Sequence, residues 1–278
     1  MIRILLCTYN GAEYIKEQID SIISNTYPDW ELYVFDDVST DDTVSILNEY
    51  VERYRDRIHI VNNEINKGPQ FNFLCAIQYM SAILEREDQI MLCDQDDIWF
   101  EDKISKTYSK MNEMMSEYGN SIPLLVSGDV KVIDKNKKII SESYQRSNRY
   151  KHDHMDLAHH LMENHIQGST IMINKSLADM LYRIHGDSYT AETIGFGQRV
   201  VSKILHLADI RECVFKFSDE VKEFLSIYIE KLSDKDVMLL GEFASLKDMS
   251  FLQKRETIIR YHMWKSGLLR NIGLIMVI

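Results

Sequence analysis

Residues 2–11 read Ile-Arg-Ile-Leu-Leu-Cys-Thr-Tyr-Asn-Gly, an apolar run that ends in polar and turn-forming residues. The run predicts a buried strand over Ile2–Cys7, and the apolar spacing that follows it predicts a helix over Glu13–Ser24. The alternation continues with strands predicted at Glu31–Phe35, Ile58–Val61 and Gln89–Cys93 and helices at Asp42–Tyr54 and Phe71–Leu84. Strand–helix alternation at this spacing indicates βαβ units, and therefore an α/β, Rossmann-like fold with a mostly parallel sheet flanked by helices.

Three polar loops each follow a strand of this predicted sheet: Thr8–Gly11, Asp36–Asp41 and Asp94–Trp99. Right-handed crossovers bring the carboxyl ends of parallel strands to one edge of the sheet. Ligands of such folds bind in the crevice at that edge. We therefore expect the three loops to converge on one binding site.

The pattern changes after Asn120. Short strands are predicted at Leu124–Ser127, Lys131–Ile133 and Ile139–Ile140, and a longer one at His165–Ile173. From Ser218 onwards nearly every stretch has helical spacing. The sequence therefore predicts one domain over residues 1–217 and a helical C-terminal extension over residues 218–278.

Composition excludes several classes of protein. The net charge of −11 over 278 residues argues against a nucleic-acid partner, because neutralising phosphates requires a basic face. The four cysteines are scattered without a CxxC pair, so we expect neither a disulfide framework nor a zinc site, and we predict a cytoplasmic location. No apolar run is long enough to span a bilayer. The absence of GxGxxG, GxxxxGK[ST] and GxSxG motifs argues against a dehydrogenase, a P-loop protein and an α/β-hydrolase.

The strongest signal for chemistry is Asp94-Gln95-Asp96-Asp97, directly after a predicted strand. Three carboxylates in four residues repel one another unless a cation lies among them, and hard oxygen ligands of this kind suit Mg²⁺ or Mn²⁺. Such an ion can neutralise a diphosphate leaving group. The alternative is an acidic turn that caps a helix predicted at Glu101–Met115. A second acidic strand end, Asp36-Asp37, favours the metal site.

Three further features suit a nucleotide. Asp37 can accept the imide N–H of uracil or thymine. The stretch Thr8-Tyr9-Asn10-Gly11 offers backbone groups, a hydroxyl and an aromatic face for the base, and Lys67 supplies a cation for a phosphate or for Asp37. Each feature also has a simpler interpretation, as a helix cap, a strand-to-helix turn or a solvated turn lysine.

Taken in order along the chain, these motifs resemble family-2 inverting glycosyltransferases with a GT-A fold, and within them the bacterial rhamnosyltransferase-like branch of polysaccharide biosynthesis. The motifs are Leu-Leu-Cys-Thr-Tyr-Asn-Gly at 5–11, Asp-Asp-Val-Ser-Thr-Asp at 36–41, Asn-Lys-Gly at 66–68 and Asp-Gln-Asp-Asp-Ile-Trp at 94–99. The resemblance extends from residue 1 to about residue 180. It implies that Thr8, Tyr9 and Asp37 hold the nucleoside, and that Asp94 and Asp96 form a DxD metal site.

The resemblance implies a metal-assisted, inverting transfer of a sugar, such as L-rhamnose, from a dTDP- or UDP-sugar donor to a glycan or lipid-linked acceptor. The predicted nucleotide-binding residues are Thr8, Tyr9, Asn10, Asp37, Lys67, Asp94 and Gln95. The predicted ligands of the Mn²⁺ or Mg²⁺ ion are Asp94, Asp96 and His185. Residues 1–217 are then the domain that binds the nucleotide-sugar and the acceptor.

The sequence departs from the branch at the general base. Similar proteins carry a His-Asp-Trp-Trp-type segment whose aspartate deprotonates the acceptor hydroxyl, whereas here residues 173–181 lead directly to Tyr-Arg-Ile-His-Gly at 182–186. The general base is therefore unassigned, with Asp179 and Asp187 as candidates that helix-surface and turn roles explain equally well. The alternative function is a non-catalytic nucleotide-sugar-binding protein derived from such an enzyme.

The C-terminal tail, Gln253–Ile278, is basic although the chain as a whole is acidic. Its basic residues are interleaved with apolar ones, as in helices that lie on a membrane surface. This pattern predicts peripheral contact with the inner face of the membrane, where lipid-linked acceptors are held. The alternative is a helix that packs against the rest of the protein.

Overall fold

The structure is a computed structural model that describes residues 1–150, 156–163, 165–186, 207–265, 271 and 274–275. The chain divides into two compact units. The first comprises Met1–Asp129 and Ile166–Ala191, and the second comprises Val130–His165 and Glu192–Ile278. This grouping differs from the boundary at residue 217 that the sequence predicts, and that domain boundary stays a prediction.

The regular elements of the described residues alternate as the sequence predicts up to residue 118. The strands are β1 (Ile2–Thr8), β2 (Trp30–Asp36), β3 (Ile58–Asn62), β4 (Gln89–Cys93), β5 (Leu125–Val126), β6 (Val132–Ile133), β7 (Ile139–Ser141) and β8 (Met172–Asn174). The helices are α1 (Ile15–Ile23), α2 (Thr43–Arg53), α3 (Pro69–Ser81), α4 (Lys103–Tyr118), α5 (Tyr144–Ser147), α6 (Leu157–Met162), α7 (Lys175–Gly186), α8 (Leu207–Tyr228), α9 (Asp234–Ala244) and α10 (Phe251–Arg260).

The first unit is built on a six-stranded sheet with the order β3-β2-β1-β4-β8-β5. Strands β1 to β4 are parallel, whereas β8 pairs antiparallel with both β4 and β5. In β1 the side chains of Ile4, Leu5 and Leu6 are all fully buried, because helices cover both faces of the sheet. Helices α1, α2 and α4 pack on one face, and α3 and α7 on the other. The predicted fold class is confirmed.

The strand predicted at His165–Ile173 is wrong over most of its length. Gly168–Thr170 forms a turn of 3-10 helix, in which the Thr170 amide donates to the Gln167 carbonyl at 3.0 Å. Strand pairing begins at Met172 and ends at Asn174. Glycine, serine and threonine favour such turns because their side chains leave the backbone free or hydrogen-bond to it locally. The threonine hydroxyl does so here, donating to the Gln167 carbonyl at 2.8 Å.

The second unit combines a two-stranded hairpin with helices. In the β6–β7 hairpin, the Asp134 carboxylate accepts the amides of Asn136 and Lys138 at 2.8 and 2.9 Å, which closes the predicted turn. Helices α8, α9 and α10 pack around a core in which Phe243 and Ile258 are fully buried. None of the described helices combines the length and apolar character that a bilayer crossing requires.

One face of α10 therefore packs against its own unit, as the alternative interpretation of the tail expects. The same helix also exposes apolar side chains: Phe251 and Leu252 are 62% and 75% exposed. Membrane contact through this tail stays a prediction.

Candidate functional site

The candidate site lies where the direction of the strand order changes. The chain passes from β1 through β2 to β3 with α1 and α2 on one face of the sheet, and then returns along the other face through α3 to β4, which lies on the other side of β1. Such a switch point leaves a crevice at the carboxyl ends of the strands. A pocket of about 350 Å³ occupies it. Its lining residues are Cys7, Thr8, Tyr9, Asp37, Asn66, Gly68, Pro69, Asn72, Phe73, Asp94, Gln95 and Asp96.

The pocket thus brings together residues from all three predicted loops. Thr8, Tyr9, Asp37, Asp94, Gln95 and Asp96 line it, whereas Asn10 and Lys67 do not. The loop after β3, which includes Asn66 and Gly68, forms a fourth side. The Asn-Lys-Gly motif at 66–68 predicted this side of the pocket through Lys67, and the polar end of β3 at Asn62 and Asn63 is a second signal for it.

Asp37 lines the pocket and also holds its wall together. The side chain is 2% exposed, and its carboxylate accepts hydrogen bonds from Asn63 Nδ2 at 2.8 Å and from the amide of Gly68 at 2.8 Å. The amide of Lys67 is shared between both carboxylate oxygens, at 2.9 and 3.0 Å. Gly68 adopts a φ of 76°, a conformation that glycine reaches without strain. Asp37 is therefore an anchor for the loop 63–68, a role that the sequence did not predict.

Lys67 contacts the Asp37 carboxylate through its own backbone amide. Its ammonium group donates to Asn63 Oδ1 at 3.0 Å. The predicted ion pair with the Asp37 carboxylate is therefore replaced by backbone hydrogen bonds, because the loop turns its amides towards the carboxylate. A phosphate contact by Lys67 stays a prediction.

Asn10 joins two loops beside the pocket. Its φ of 47° lies in the left-handed region, which asparagine tolerates better than most residues. Its side-chain oxygen accepts the Thr40 amide at 2.8 Å, and its own amide donates to Ser39 Oγ at 2.9 Å. These bonds join the loop after β1 to the loop after β2. Nearby, the buried Thr8 hydroxyl donates to Asp36 at 2.9 Å.

The Gln95 side chain is paired with the main chain of Tyr9. Gln95 Oε1 accepts the Tyr9 amide at 3.0 Å, and Gln95 Nε2 donates to the Tyr9 carbonyl at 3.2 Å. Gly11 lies directly beside the side-chain amide of Gln95, since a Cβ atom at Gly11 would stand 2.2 Å from Gln95 Oε1. The Gln95 side chain therefore makes a contact within the protein, and its contact with a nucleotide stays a prediction.

We name residues 94–97 the acid loop. Burial, followed by the charges of Asp97 and Asp96, raises the pKa of Asp94 to about 6. Burial also raises the pKa of Asp97, while the Ser169 hydroxyl and the charge of Lys103 act in the opposite direction. The acid loop is therefore a place where negative charge is costly, and a bound cation would relieve that cost.

One cation near the acid loop belongs to the chain itself, and the sequence analysis missed it. The ammonium group of Lys103 donates to the Ser169 carbonyl at 2.9 Å and lies 4.4 Å from the centre of the Trp99 ring. Burial lowers the pKa of Lys103, although its charge offsets part of the repulsion around Asp94 and Asp97. A lysine at the first position of a helix opposes the helix dipole, and this mismatch was the available signal.

The acid loop suits a metal ion that is shared with a ligand. Among the described residues, no group of three or more His, Cys, Asp or Glu side chains is arranged to hold a metal by itself. Asp94 and Asp96 both face the pocket. Two carboxylates completed by phosphate oxygens and water are a usual environment for Mg²⁺, so the donor set fits an ion of this kind.

The candidate base Asp179 is not brought to the pocket. It accepts hydrogen bonds from Ser81 at 2.7 Å and from Lys175 at 2.7 Å. Ser81 ends α3, whereas Pro69 at the start of α3 lines the pocket, and 13 helical residues span about 20 Å. Asp179 therefore lies near the opposite edge of the sheet, in an ion pair along its own helix.

His185 and Asp187 are the other two residues that the sequence predicts for this region of the site. His185 belongs to the last turn of α7, and its side chain lies outside the described residues. Helix α7 follows β8, which ends at the edge where the parallel strands begin, and α7 then runs back along α3. Asp187 lies outside the described residues. Their predicted roles stay predictions.

A mostly parallel sheet with a pocket at its switch point, and an acid loop beside that pocket, is the arrangement of the GT-A class of fold. The chain belongs to glycosyl transferase family 2, whose family model matches residues 3–179. The family and the fold that the sequence motifs indicate are therefore confirmed.

Two curated relatives with named activities each match somewhat less than half of the chain. A dTDP-rhamnosyl transferase of Shigella flexneri, RfbG, is 36% identical over 134 residues, which are 47% of this chain and 45% of RfbG. WfgD of Escherichia coli, a UDP-Glc:alpha-D-GlcNAc-diphosphoundecaprenol beta-1,3-glucosyltransferase, is 33% identical over 122 residues, 43% of this chain and 45% of WfgD. The chain spans about half the length of the curated relatives that it matches.

Among solved structures, the fold is similar to S. aureus TarS 1–349 in complex with UDP-GlcNAc. The TM-score is 0.50 at 16% sequence identity, with 99% of this chain and 84% of the TarS chain covered. At this identity the similarity concerns the fold.

Proposed function

We propose that the chain is an inverting glycosyltransferase that takes a sugar from a pyrimidine nucleoside diphosphate and passes it to a cell-surface glycan acceptor. The observation that carries the proposal is the pocket at the switch point. It places an aromatic residue, a buried carboxylate and the acid loop around one space of about 350 Å³. These are the groups that a base, a ribose and a metal-bound diphosphate require.

The nucleoside half of the pocket is formed by the loops after β1, β2 and β3. Tyr9 is 47% exposed and offers a ring face for the base, while Thr8 and Asp37 lie beneath it at the strand ends. Asp37 is held by four backbone and side-chain hydrogen-bond contacts, so its position is fixed before a ligand arrives. A preorganised carboxylate next to the pocket favours a base that carries an imide N–H, as uracil and thymine do.

The diphosphate half is formed by Asp94 and Asp96, which would hold Mn²⁺ or Mg²⁺. When bound, this ion would supply charge neutralisation for the departing nucleoside diphosphate. The chain's own part is to keep the two carboxylates close together, and the charge of Lys103 offsets part of the repulsion at Asp94. We also propose a phosphate contact for Lys67, which lies next to the pocket residue Gly68.

The donor and acceptor are proposed from the relatives. The names of RfbG and WfgD specify a dTDP-sugar and a UDP-sugar respectively, and WfgD acts on a lipid-linked diphosphoundecaprenol acceptor. We propose a dTDP- or UDP-sugar, with L-rhamnose as the first candidate, and a glycan or lipid-linked acceptor. The proposed location is cytoplasmic, at the inner face of the membrane.

The test is release of nucleoside diphosphate from a panel of dTDP-, UDP- and GDP-sugars with Mn²⁺ or Mg²⁺ and an acceptor extract. We expect turnover with a pyrimidine donor, loss of at least about a hundredfold in Asp96→Asn, and little change in Asp102→Asn. Asp102 is a matched control because it stands directly before α4, does not line the pocket, and pairs with Lys106 at 2.6 Å. Equal activity of wild type and Asp96→Asn would reject the proposed metal site.

The second candidate function is nucleotide-sugar binding without transfer. The observation that favours it is the position of Asp179, far from the pocket and in an ion pair with Lys175. Tight donor binding without product, in the presence of an acceptor that a related enzyme uses, would support this function. Product formation would exclude it.

A further inference from the structure

We propose that Gln95 is a positioning residue that sets the spacing between Tyr9 and the acid loop, and that Gly11 is a glycine because the Gln95 amide occupies the space of its side chain. The inference rests on the proposed function, because it concerns how one nucleotide contacts both sides of the pocket.

The first observation is that the Gln95 side-chain amide links the segments that follow β1 and β4, beyond the point where the two strands stop pairing. The pairing of β1 with β4 stops at Leu6 and Cys93. Two residues beyond Cys93, the Gln95 side chain satisfies both main-chain groups of Tyr9, at 3.0 and 3.2 Å. A primary amide has the donor and the acceptor that this arrangement needs. The side chain therefore joins the two loops at the mouth of the crevice.

The second observation is the lack of space at Gly11. A Cβ atom there would lie 2.2 Å from Gln95 Oε1 and 2.7 Å from Gln95 Cδ. The backbone of Gly11 cannot easily yield, because its amide donates to the buried Thr43 hydroxyl at 2.8 Å. In a Gly11→Ala variant the Gln95 amide must move instead, and both hydrogen bonds to Tyr9 are then lost.

The functional consequence depends on how far a ligand reaches. A nucleoside diphosphate with Mn²⁺ contacts Tyr9 at one end and the acid loop at the other, so its affinity depends on the distance between them. A nucleoside monophosphate that reaches only the Tyr9 side is much less sensitive to that distance. Fixing two subsites in advance raises the affinity of the ligand that spans them.

The experiment compares Gln95→Ala, Gly11→Ala, the double variant and Gly241→Ala by titration calorimetry with UDP and with UMP in Mn²⁺, and with dTDP and dTMP. Gly241 is a matched control, because a Cβ atom there meets no heavy atom within 4 Å. We expect each single pocket variant to lose about tenfold in diphosphate affinity and less than about threefold in monophosphate affinity. The double variant should match Gln95→Ala alone, and Gly241→Ala should match wild type.

The outcomes separate the inference from the proposed function. Equal losses for diphosphate and monophosphate would overturn the spacing role, because they would indicate a general collapse of the Tyr9 side. Additive losses in the double variant would overturn the role of Gly11, because its only effect should be through Gln95. No binding of any pyrimidine nucleotide by wild type would overturn the proposed function itself, and the inference with it.

Discussion

Replacing Asp94 by asparagine should make the protein more stable at neutral pH, although it removes a predicted ligand of the metal. The pKa of Asp94 is raised from 3.8 to about 6, chiefly by burial and then by the charges of Asp97 and Asp96. The Asp94 carboxyl is therefore harder to ionise in the folded protein than in the unfolded chain, and its ionisation at higher pH opposes folding. The destabilisation is absent below the unfolded pKa near 3.8, develops as pH rises, and is complete above about pH 6.

The size of the effect follows from the shift. Two pKa units correspond to about 3 kcal/mol at pH 8, and the same relation leaves less than about 1 kcal/mol at pH 4. For a protein of this size, 3 kcal/mol corresponds to a rise in Tm of roughly 6–12 °C. Asparagine has nearly the same shape and carries no charge, so Asp94→Asn should recover much of this stability above pH 7.

The assay is calorimetric unfolding of wild type and Asp94→Asn at pH 4 and pH 8, without divalent ions. Asp102→Asn is the control, since Asp102 carries the same charge next to α4 but lies in an exposed ion pair. We expect a higher Tm for Asp94→Asn at pH 8 and a much smaller difference at pH 4. A lower Tm at pH 8, or a gain that does not depend on pH, would refute the reasoning about the charge of the acid loop.

Three further predictions follow from the same contacts. Lys103→Met should leave the Ser169 carbonyl without its charged donor. We expect a loss of about 2 kcal/mol in the free energy of unfolding, which lowers Tm by roughly 4–8 °C. Lys103→Arg should lower Tm less in the same calorimetric experiment. Asp37→Asn places donors opposite the amides of the loop 63–68, so limited proteolysis should cut this loop faster than in wild type, and unchanged cleavage would contradict its anchoring role. The double variant Phe251→Ser and Leu252→Ser should reduce flotation with anionic liposomes, whereas equal flotation would exclude this surface as a membrane contact.

The sequence was informative where one physical requirement dominates. Strands β1 and β4 lie in the middle of the sheet and are buried over nearly their whole length, so their apolar runs are nearly continuous and their positions are easily predicted. The convergence of the loops then follows from the handedness of parallel crossovers and needs no knowledge of side chains. The pocket residues Thr8, Tyr9, Asp37 and Asp94 were therefore predictable as a group.

The sequence was less informative where a contact depends on loop geometry. Asp37 binds amides some 30 positions further along the chain, and no spacing rule connects the two segments. The position of Lys103 beneath the acid loop likewise depends on the exact start of α4. The short antiparallel β8 was overestimated, because its three residues carry too little periodicity to separate a strand from the preceding turn.

The double duty of Asp37 limits how a protein of this kind can change its donor during evolution. The carboxylate that we propose as the contact for the base also holds the neighbouring loop, so a mutation that altered base preference at this position would loosen that loop at the same time. New preferences are more accessible at the half-exposed Tyr9, where a substitution changes the ring face that is presented and leaves the fastening intact. Proteins that evolve from such an ancestor to use a different base should therefore differ mainly in the loop after β1 and keep an aspartate at the position of Asp37.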